Sequence, residues 1–315
     1  MFFQLDGKLL QEQYIGHLSG FLDWDQGNHA SDWVLFEDNL GPFLSIDETC
    51  LSQGELYTVI TNKEAKGKKG ALVALVKGVQ SDKVIDVLSK MSLKLRNTVK
   101  EVTLDLAATM ERIAIRAFPK AKLVSDRFHV QQLASDAVQQ LRIEYRWEAI
   151  DQENKEIELS KELKRPYLPE ILANGDSLKQ LLVRSRFLLF KDESKWTPSQ
   201  YHRAEILFER YPALEKAYRL SRDLSKIFTT TKEKEVGFTR LARWYEKVEK
   251  AELKSFRTVR KTIENHYITI LNYFDNRSTN ASAESFNAKI KALRSQFRGV
   301  RDISFFMFRL AKIYA

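Results

Sequence analysis

The sequence has a single cysteine and no long run of apolar residues. Cys50 alone can form no internal disulfide, and a zinc site built from several cysteines is excluded. No apolar stretch approaches the roughly 20 residues that a membrane-spanning helix needs. The start of the chain, MFFQLDGKLLQEQ, lacks the basic segment and long apolar core of a signal peptide. We therefore expect a cytoplasmic protein of a reducing compartment with no membrane partner.

Several catalytic motifs are also missing. The chain contains no glycine-rich loop ending in Gly-Lys-Ser/Thr, no His-Glu-x-x-His and no Gly-x-Ser-x-Gly. What it does contain is a basic surplus, with a net charge of +9. Much of this surplus lies between Arg257 and the C-terminus, where 11 basic side chains face 4 acidic ones. Such a balance permits a nucleic-acid partner without establishing one.

The stretch 101–132 (EVTLDLAATMERIAIRAFPKAKLVSDRFHVQQ) reads as strand, helix, strand and helix. A strand–helix–strand unit of this length predicts two parallel strands joined by a crossover helix. Asp105 follows the first of these strands and Asp126 follows the second. Because ligands bind at the C-terminal ends of parallel strands, we predict that both acids face one cleft.

Three apolar runs at 43–48, 56–61 and 71–79 precede this unit and predict an antiparallel meander. Almost everything from 128 to about 270 has a charged, helical pattern. The residues therefore predict an α/β fold with a mixed five-stranded sheet, interrupted by a large all-α insertion domain. The order of the elements resembles that of the ribonuclease H-like fold. The predicted domains are a short N-terminal segment (1–42), the first part of a catalytic core (43–145), a helical insertion (146–270) and C-terminal core helices (271–315).

Three acids form the first candidate site. Asp47 lies at the end of the first predicted strand, Asp105 ends the fourth, and Glu284 lies in the first turn of a helix that follows a polar loop. Carboxylates are hard oxygen ligands suited to Mg²⁺ or Mn²⁺, and two such ions can act on both oxygens of a phosphodiester. Each acid alone is more often a turn, cap or helix-dipole residue, so the prediction depends on their joint pattern.

Three sequence segments carry a resemblance to a known family. They are Ile46-Asp47-Glu48, then Thr103-Leu104-Asp105 followed by Asp126-Arg127-Phe128-His129, and finally NASAESFNAKIK at 280–291. In this order they resemble the DDE transposases of bacterial insertion sequences, in the ISL3/ISAon-type branch related to Mutator-like elements. The helical segment 196–218 is similar to the insertion domain of that branch. The resemblance runs from about Phe43 to the C-terminus.

The resemblance implies specific roles for the acids. Asp47, Asp105 and Glu284 would be the catalytic residues and the ligands of Mg²⁺ or Mn²⁺, as two ions. Asp126, His129 and Asn287 would lie next to these ligands and orient them. From spacing alone, the alternative is that Asp126 caps a helix and His129 is a buried core histidine, and this alternative stays open.

Basic and aromatic residues form a candidate DNA-binding set. The predicted phosphate contacts, on and beyond the helix that starts near Glu284, are Lys289, Lys291, Arg294, Arg298 and Arg301. Trp196 could stack on an unpaired base, although packing inside the fold is the more common role of such a residue. A solvated basic helix is the alternative for the cations.

The activity implied by the resemblance is DNA transposition. Phosphodiester bonds at the ends of a mobile element would be cleaved, and the freed 3′-hydroxyl would be joined to target DNA. Two alternatives remain: a non-catalytic DNA-binding protein derived from a transposase, and a metal-dependent nuclease of the same fold. The expected partners are double-stranded DNA of the bacterial nucleoid and a second copy of the chain, because two ends must be processed together.

The segment before the predicted core leads to one more expectation. Relatives in this branch commonly carry a zinc finger and a helix-turn-helix there, whereas this chain has about 42 residues without such a pattern. A separately encoded N-terminal DNA-binding polypeptide, a frameshifted extension or loss from a fragmentary copy would each account for this difference.

Overall fold

The computed structural model describes residues 6–51, 54–297 and 302–315. The chain forms two compact units, which we call the sheet unit (Met1–Asp126 and Arg277–Ala315) and the helical unit (Arg127–Asn276). Each unit has its own core. The domain boundaries at 42, 145 and 270 stay a prediction.

A mixed sheet forms the centre of the sheet unit. Its strands are β1 (Trp33–Leu35), β2 (Phe43–Cys50), β3 (Leu56–Asn62), β4 (Leu72–Lys77), β5 (Glu101–Leu104) and β6 (Lys122–Ser125). They lie side by side in the order β1-β4-β3-β2-β5-β6. The first four strands of this order pair antiparallel, whereas β2, β5 and β6 pair parallel. The mixed α/β class, the meander and the parallel pair are confirmed.

The prediction of five strands was wrong by one. The sixth is β1, which pairs antiparallel with β4 and places Val34 opposite Leu75. Its three residues are too few to show the alternation that marks a strand in a sequence. Pairing at the sheet edge and complete burial of Val34 hold it in place.

In the first part of the sheet unit, the described residues form the α-helices α1 (Gly7–Gln13), α2 (Ser81–Leu88), α3 (Leu93–Arg96) and α4 (Ala108–Ala117). The crossover helix α4 buries Met110, Ile113 and Ala114 in one core with strand residues such as Leu44. These helical residues recur at spacings of three and four, so they lie on one side of the helix.

The helical unit follows β6. Its helices are α5 (Arg127–Glu162), α6 (Leu178–Arg184), α7 (Pro198–Arg210), α8 (Pro212–Thr230), α9 (Lys234–Ala251), α10 (Lys254–Asn265), α11 (Tyr267–Leu271) and α12 (Tyr273–Asn276). The helix α7 begins with a capping box between Thr197 and Gln200 and with Pro198 in its first turn. Pro suits this position because no partner is needed for its missing amide hydrogen.

The last two helices, α13 (Ala281–Gln296) and α14 (Ile303–Tyr314), return to the sheet unit. Phe286 and Ile290 of α13 share a second core with Tyr57 and Val59 of β3. Val59 pairs with Asp47, and directly paired residues project to the same face of a sheet. The helix α13 therefore covers the face on which Asp47 lies. None of the described helices is long and apolar enough to cross a membrane.

Candidate functional site

Three acids lie on one face of three adjacent strands. Ser45 of β2 pairs with Thr103 of β5, and Thr103 pairs with Val124 of β6. Side chains two residues apart along a strand share a face. Asp47, Asp105 and Asp126 come two residues after these paired residues, so the register directs them to one side of the sheet.

Asp47 differs from its predicted position. It is not the end of its strand, because β2 continues for three residues to Cys50 while it pairs with β3. The parallel pairing with β5 already ends at Ser45. Asp47 therefore projects beyond the parallel part of the sheet, where Asp105 and Asp126 follow the ends of their own strands.

The first turns of α13 bring further polar groups to these acids. Glu284 lies in the first turn of the helix, as predicted, and its carboxylate oxygen lies within 4.8 Å of one from Asp126. One turn later, Asn287 Nδ2 donates a hydrogen bond of 2.7 Å to Asp47 Oδ2. Residues three apart on a helix share a face. The structure thus joins Glu284 and Asn287 to the acids of the sheet.

Backbone and side-chain donors orient two of the carboxylates. Asp47 Oδ1 accepts a hydrogen bond of 2.8 Å from the amide of Glu48. Asp105 Oδ1 accepts one of 2.9 Å from the amide of Ala107, just before α4. Asp105 therefore also serves the turn that follows its strand, which is the common role of an acid at this position.

Glu48 belongs to the same electrostatic environment. Burial raises the pKa of its carboxyl group, and the negative charges of Asp105 and Asp47 raise it further. No site role was predicted for Glu48 from the sequence, although Glu48 directly follows Asp47 in a segment that carries the family resemblance. Its proximity to two other carboxylates became visible only with the fold.

Lys63 places a positive charge next to β5, close to the acids on this face of the sheet. Its Nζ donates a hydrogen bond of 2.8 Å to Thr103 Oγ1 and lies 3.7 Å from Glu101 Oε1. Burial lowers the pKa of the Lys63 amine, although the charges of Glu101 and Asp126 act in the opposite direction. A half-buried cation near the acids is a second feature that the sequence did not indicate.

The donor set fits a divalent metal ion. Carboxylates from β2, β5, β6 and α13 supply hard oxygen ligands of the kind that Mg²⁺ and Mn²⁺ prefer. In addition, Asn287 is only 6% exposed, and its Oδ1 has no hydrogen-bond partner within the described residues. Leaving such an oxygen buried and unpaired is costly, and a nearby cation or ordered water would satisfy it.

The predicted DNA-binding residues have mixed surroundings. Lys289 Nζ donates to the carbonyl of Gly67 at 2.8 Å and so ties α13 to the β3–β4 connection. The Arg294 guanidinium lies 5.0 Å from the centroid of the Phe306 ring, whereas Lys291 is exposed. Arg298 and Arg301 lie outside the described residues. The DNA-binding role of all five stays a prediction.

Two predicted site residues belong to the helical unit. His129 lies in the first turn of α5, half-buried. Trp196 donates its indole hydrogen to the Leu188 carbonyl at 2.8 Å, and its ring centroid lies 5.4 Å from that of Tyr218. These contacts correspond to the packing role that the sequence left open for Trp196. The base-stacking role stays a prediction.

Comparison with known families identifies a match that covers most of the chain. A family model described as a transposase, of the ISL3-type DDE group, matches residues 44–310, which is most of the chain. No curated protein matches the sequence. The matched range contains Asp47, Asp105 and Glu284 together with the whole helical unit.

Proposed function

Because the chain belongs to the ISL3-type family of DDE transposases, we propose that it cleaves DNA at the ends of a mobile element and joins those ends to target DNA. The six-stranded mixed sheet is compatible with a ribonuclease H-like catalytic core. We further propose that Asp47, Asp105 and Glu284 carry the chemistry.

These three acids would hold Mg²⁺ or Mn²⁺, as two ions. When bound, such ions neutralise developing charge on a phosphate and act as Lewis acids. The chain itself orients the carboxylates. Asn287 and the Glu48 amide fix the two oxygens of Asp47, and the Ala107 amide fixes one oxygen of Asp105. Carboxylates held this way need little reorganisation during the reaction.

The proposed reaction has two steps at one site. In the first, a water oxygen bonds to the phosphorus at the element end while the bond from phosphorus to the 3′-oxygen breaks, which frees a 3′-hydroxyl. In the second, this hydroxyl attacks a phosphorus of target DNA, and the target's own 3′-oxygen leaves. One phosphodiester is broken and another forms in the second step. No covalent bond to the protein is needed.

The main support for the proposal is the contact between α13 and the acids near the C-terminal ends of the parallel strands. Asn287 and Asp47 are 240 positions apart in the chain, and their side chains are 2.7 Å apart. On the same helix, Glu284 approaches Asp126 within 4.8 Å. Glu284 is itself exposed, and a divalent cation shared by the two carboxylates would offset the repulsion between them.

The DNA partner has one further consequence within this proposal. A transposase acts on two element ends, so we propose that two copies of the chain assemble on DNA. Gel filtration and light scattering, with and without end DNA, would measure the assembly.

A strand-transfer assay tests the proposal. Short duplexes that carry the inverted repeats flanking the gene, with free 3′-hydroxyls, are incubated with target DNA and Mg²⁺ or Mn²⁺. We expect joining by the wild type and a loss of about 1,000-fold or more for Asp105→Asn, because an essential catalytic group is removed. Asp38→Asn, which changes an exposed acid of the sheet unit, should join normally.

Each other outcome has a definite meaning. Equal joining by the wild type and Asp105→Asn would refute the acid site. Cleavage of DNA without joining would favour the metal-dependent nuclease. Binding of DNA without either reaction would favour the non-catalytic DNA-binding protein.

A further inference from the structure

We propose that a basic groove in the helical unit binds the phosphate backbone of duplex DNA. The groove runs between α8 and α9, has a volume of about 380 Å³, and is lined by Lys226, Thr230, Arg240, Arg243, Trp244 and Lys247. We call it the α8–α9 groove. The inference takes its partner from the proposed function but does not depend on the acids of the sheet unit.

The charge of the groove is strongly positive. Lys226, Arg240, Arg243 and Lys247 are all exposed. Asp223, the one acid among the lining residues, pairs with Lys247 at 2.6 Å. Across the described part of the chain, Lys226, Arg240 and Arg243 form no ion pair within 4.0 Å. Three positive charges at the groove are therefore left without a bonded carboxylate.

The spacing of the cations suits a polyanion. Arg240, Arg243 and Lys247 are three and four residues apart on α9, so they form a row on one face. At about 1.5 Å per residue this row is about 10 Å long. Duplex DNA carries one negative charge for roughly every 1.7 Å of its axis. A row of this length can contact more than one phosphate, while Lys226 approaches from α8.

Hydrogen bonds within the protein also hold two residues of the groove in place. Arg240 Nη1 donates to the hydroxyls of Thr230 at 2.8 Å and Thr231 at 3.0 Å. These partners are neutral, so they position the guanidinium without cancelling its charge, and other donors of the guanidinium remain for a phosphate. Trp244 is 1% exposed and donates to the Leu220 carbonyl at 2.9 Å, which fixes the base of the groove.

The test compares two charge-matched double variants. Lys226→Gln/Arg243→Gln removes two groove cations. Lys216→Gln/Arg257→Gln removes the same residue types from exposed helical positions of the same unit that do not line the groove. Binding of a short fluorescein-labelled duplex of mixed sequence is measured by fluorescence anisotropy over a salt series.

We expect the groove variant to bind roughly 3- to 30-fold more weakly at a given salt concentration, as for the loss of two exposed ionic contacts. The slope of log affinity against log salt should become shallower by about 2, or about 1 for each lost phosphate contact. The control variant should keep the wild-type affinity and slope. Circular dichroism of both variants checks that the helices are retained.

Two results would overturn the inference. One is wild-type binding by the groove variant, and the other is an equal loss in both double variants, which would show a general effect of charge. Failure of the proposed function looks different: wild type and Asp105→Asn would bind the duplex through the groove, but neither would join strands. Conversely, strand joining by the wild type with unaltered binding by the groove variant would leave the proposed function standing without the groove.

Discussion

The surroundings of the acidic side chains differ between the two units. In the helical unit, Asp176 has no exposed surface and accepts hydrogen bonds from Arg203 at 2.9 Å, from Arg184 and from Asn174. Burial alone would raise the pKa of Asp176, but the hydrogen bonds from Arg203 and Arg184 outweigh it and lower that pKa. The protein itself compensates this charge.

The sheet unit gathers acids around one another instead. The pKa of Glu48 is raised by burial and then by the charges of Asp105 and Asp47, and Glu284 approaches Asp126. Such an arrangement is unfavourable for folding, because carboxylates in proximity repel each other. The contrast indicates that an acid bonded to arginines supports the fold, whereas acids close to other acids reduce stability unless a cation compensates their charge.

The largest expected effect is on the free energy of unfolding, when two substitutions that each neutralise one acid are compared. Asp176→Asn should lower the free energy of unfolding by about 3 kcal/mol, because it leaves two arginines without their carboxylate. Glu48→Gln should change it by less than about 1 kcal/mol and toward greater stability, because it removes repulsion. Urea unfolding at neutral pH without divalent ions measures both. A similar loss in the two variants would break the comparison.

The pH dependence sharpens the same comparison. The folded-state pKa of Asp176 is lowered, so its contribution is fully present above the unfolded-state pKa, near 3.9. The contribution is lost as the pH falls through the folded-state pKa. The stability difference between the wild type and Asp176→Asn should therefore shrink below about pH 4.

A smaller effect is expected from two asparagines that each bond an aspartate. Asn287→Ala removes the donor to Asp47 in the sheet unit, and Asn174→Ala removes the donor to Asp176 in the helical unit. Both should cost about 1 kcal/mol of stability. Only Asn287→Ala should also slow strand joining, by about 10- to 100-fold, as for groups that orient metal ligands.

Equal joining rates for the two asparagine variants would contradict this account. They would show that the hydrogen bond to Asp47 serves stability alone. Joining rates are compared under saturating Mg²⁺, so that a simple loss of metal affinity does not mask the effect on orientation.

Most strands of the sheet unit and its crossover helix could be predicted from the sequence. The apolar runs that became β2, β3 and β4 alternate with clear turn signals, and the crossover helix α4 has a regular apolar stripe. Local patterns of this kind are read directly from neighbouring residues. The three-residue strand β1 was missed because its pairing with β4, and not its own pattern, defines it.

Fewer details of the candidate site could be predicted from the sequence. The acids Asp105 and Asp126 could be placed because each follows a short strand. The hydrogen bond from Lys289 to the Gly67 carbonyl could not be predicted, because it joins residues 222 positions apart. The sequence had instead suggested that this lysine binds DNA. Gly67 has a positive φ of 69°, and a Cβ there would lie 3.1 Å from Lys289 Nζ. Such contacts depend on tertiary packing, which no local pattern encodes.

The most direct measurement of the central claim is Mn²⁺ binding by the whole chain, followed by electron paramagnetic resonance. The account predicts that the wild type binds Mn²⁺ and that Glu284→Gln weakens this binding by about tenfold or more, while Asp38→Asn leaves it unchanged. Equal Mn²⁺ affinity in the wild type and Glu284→Gln would contradict the claim that α13 completes the acid site.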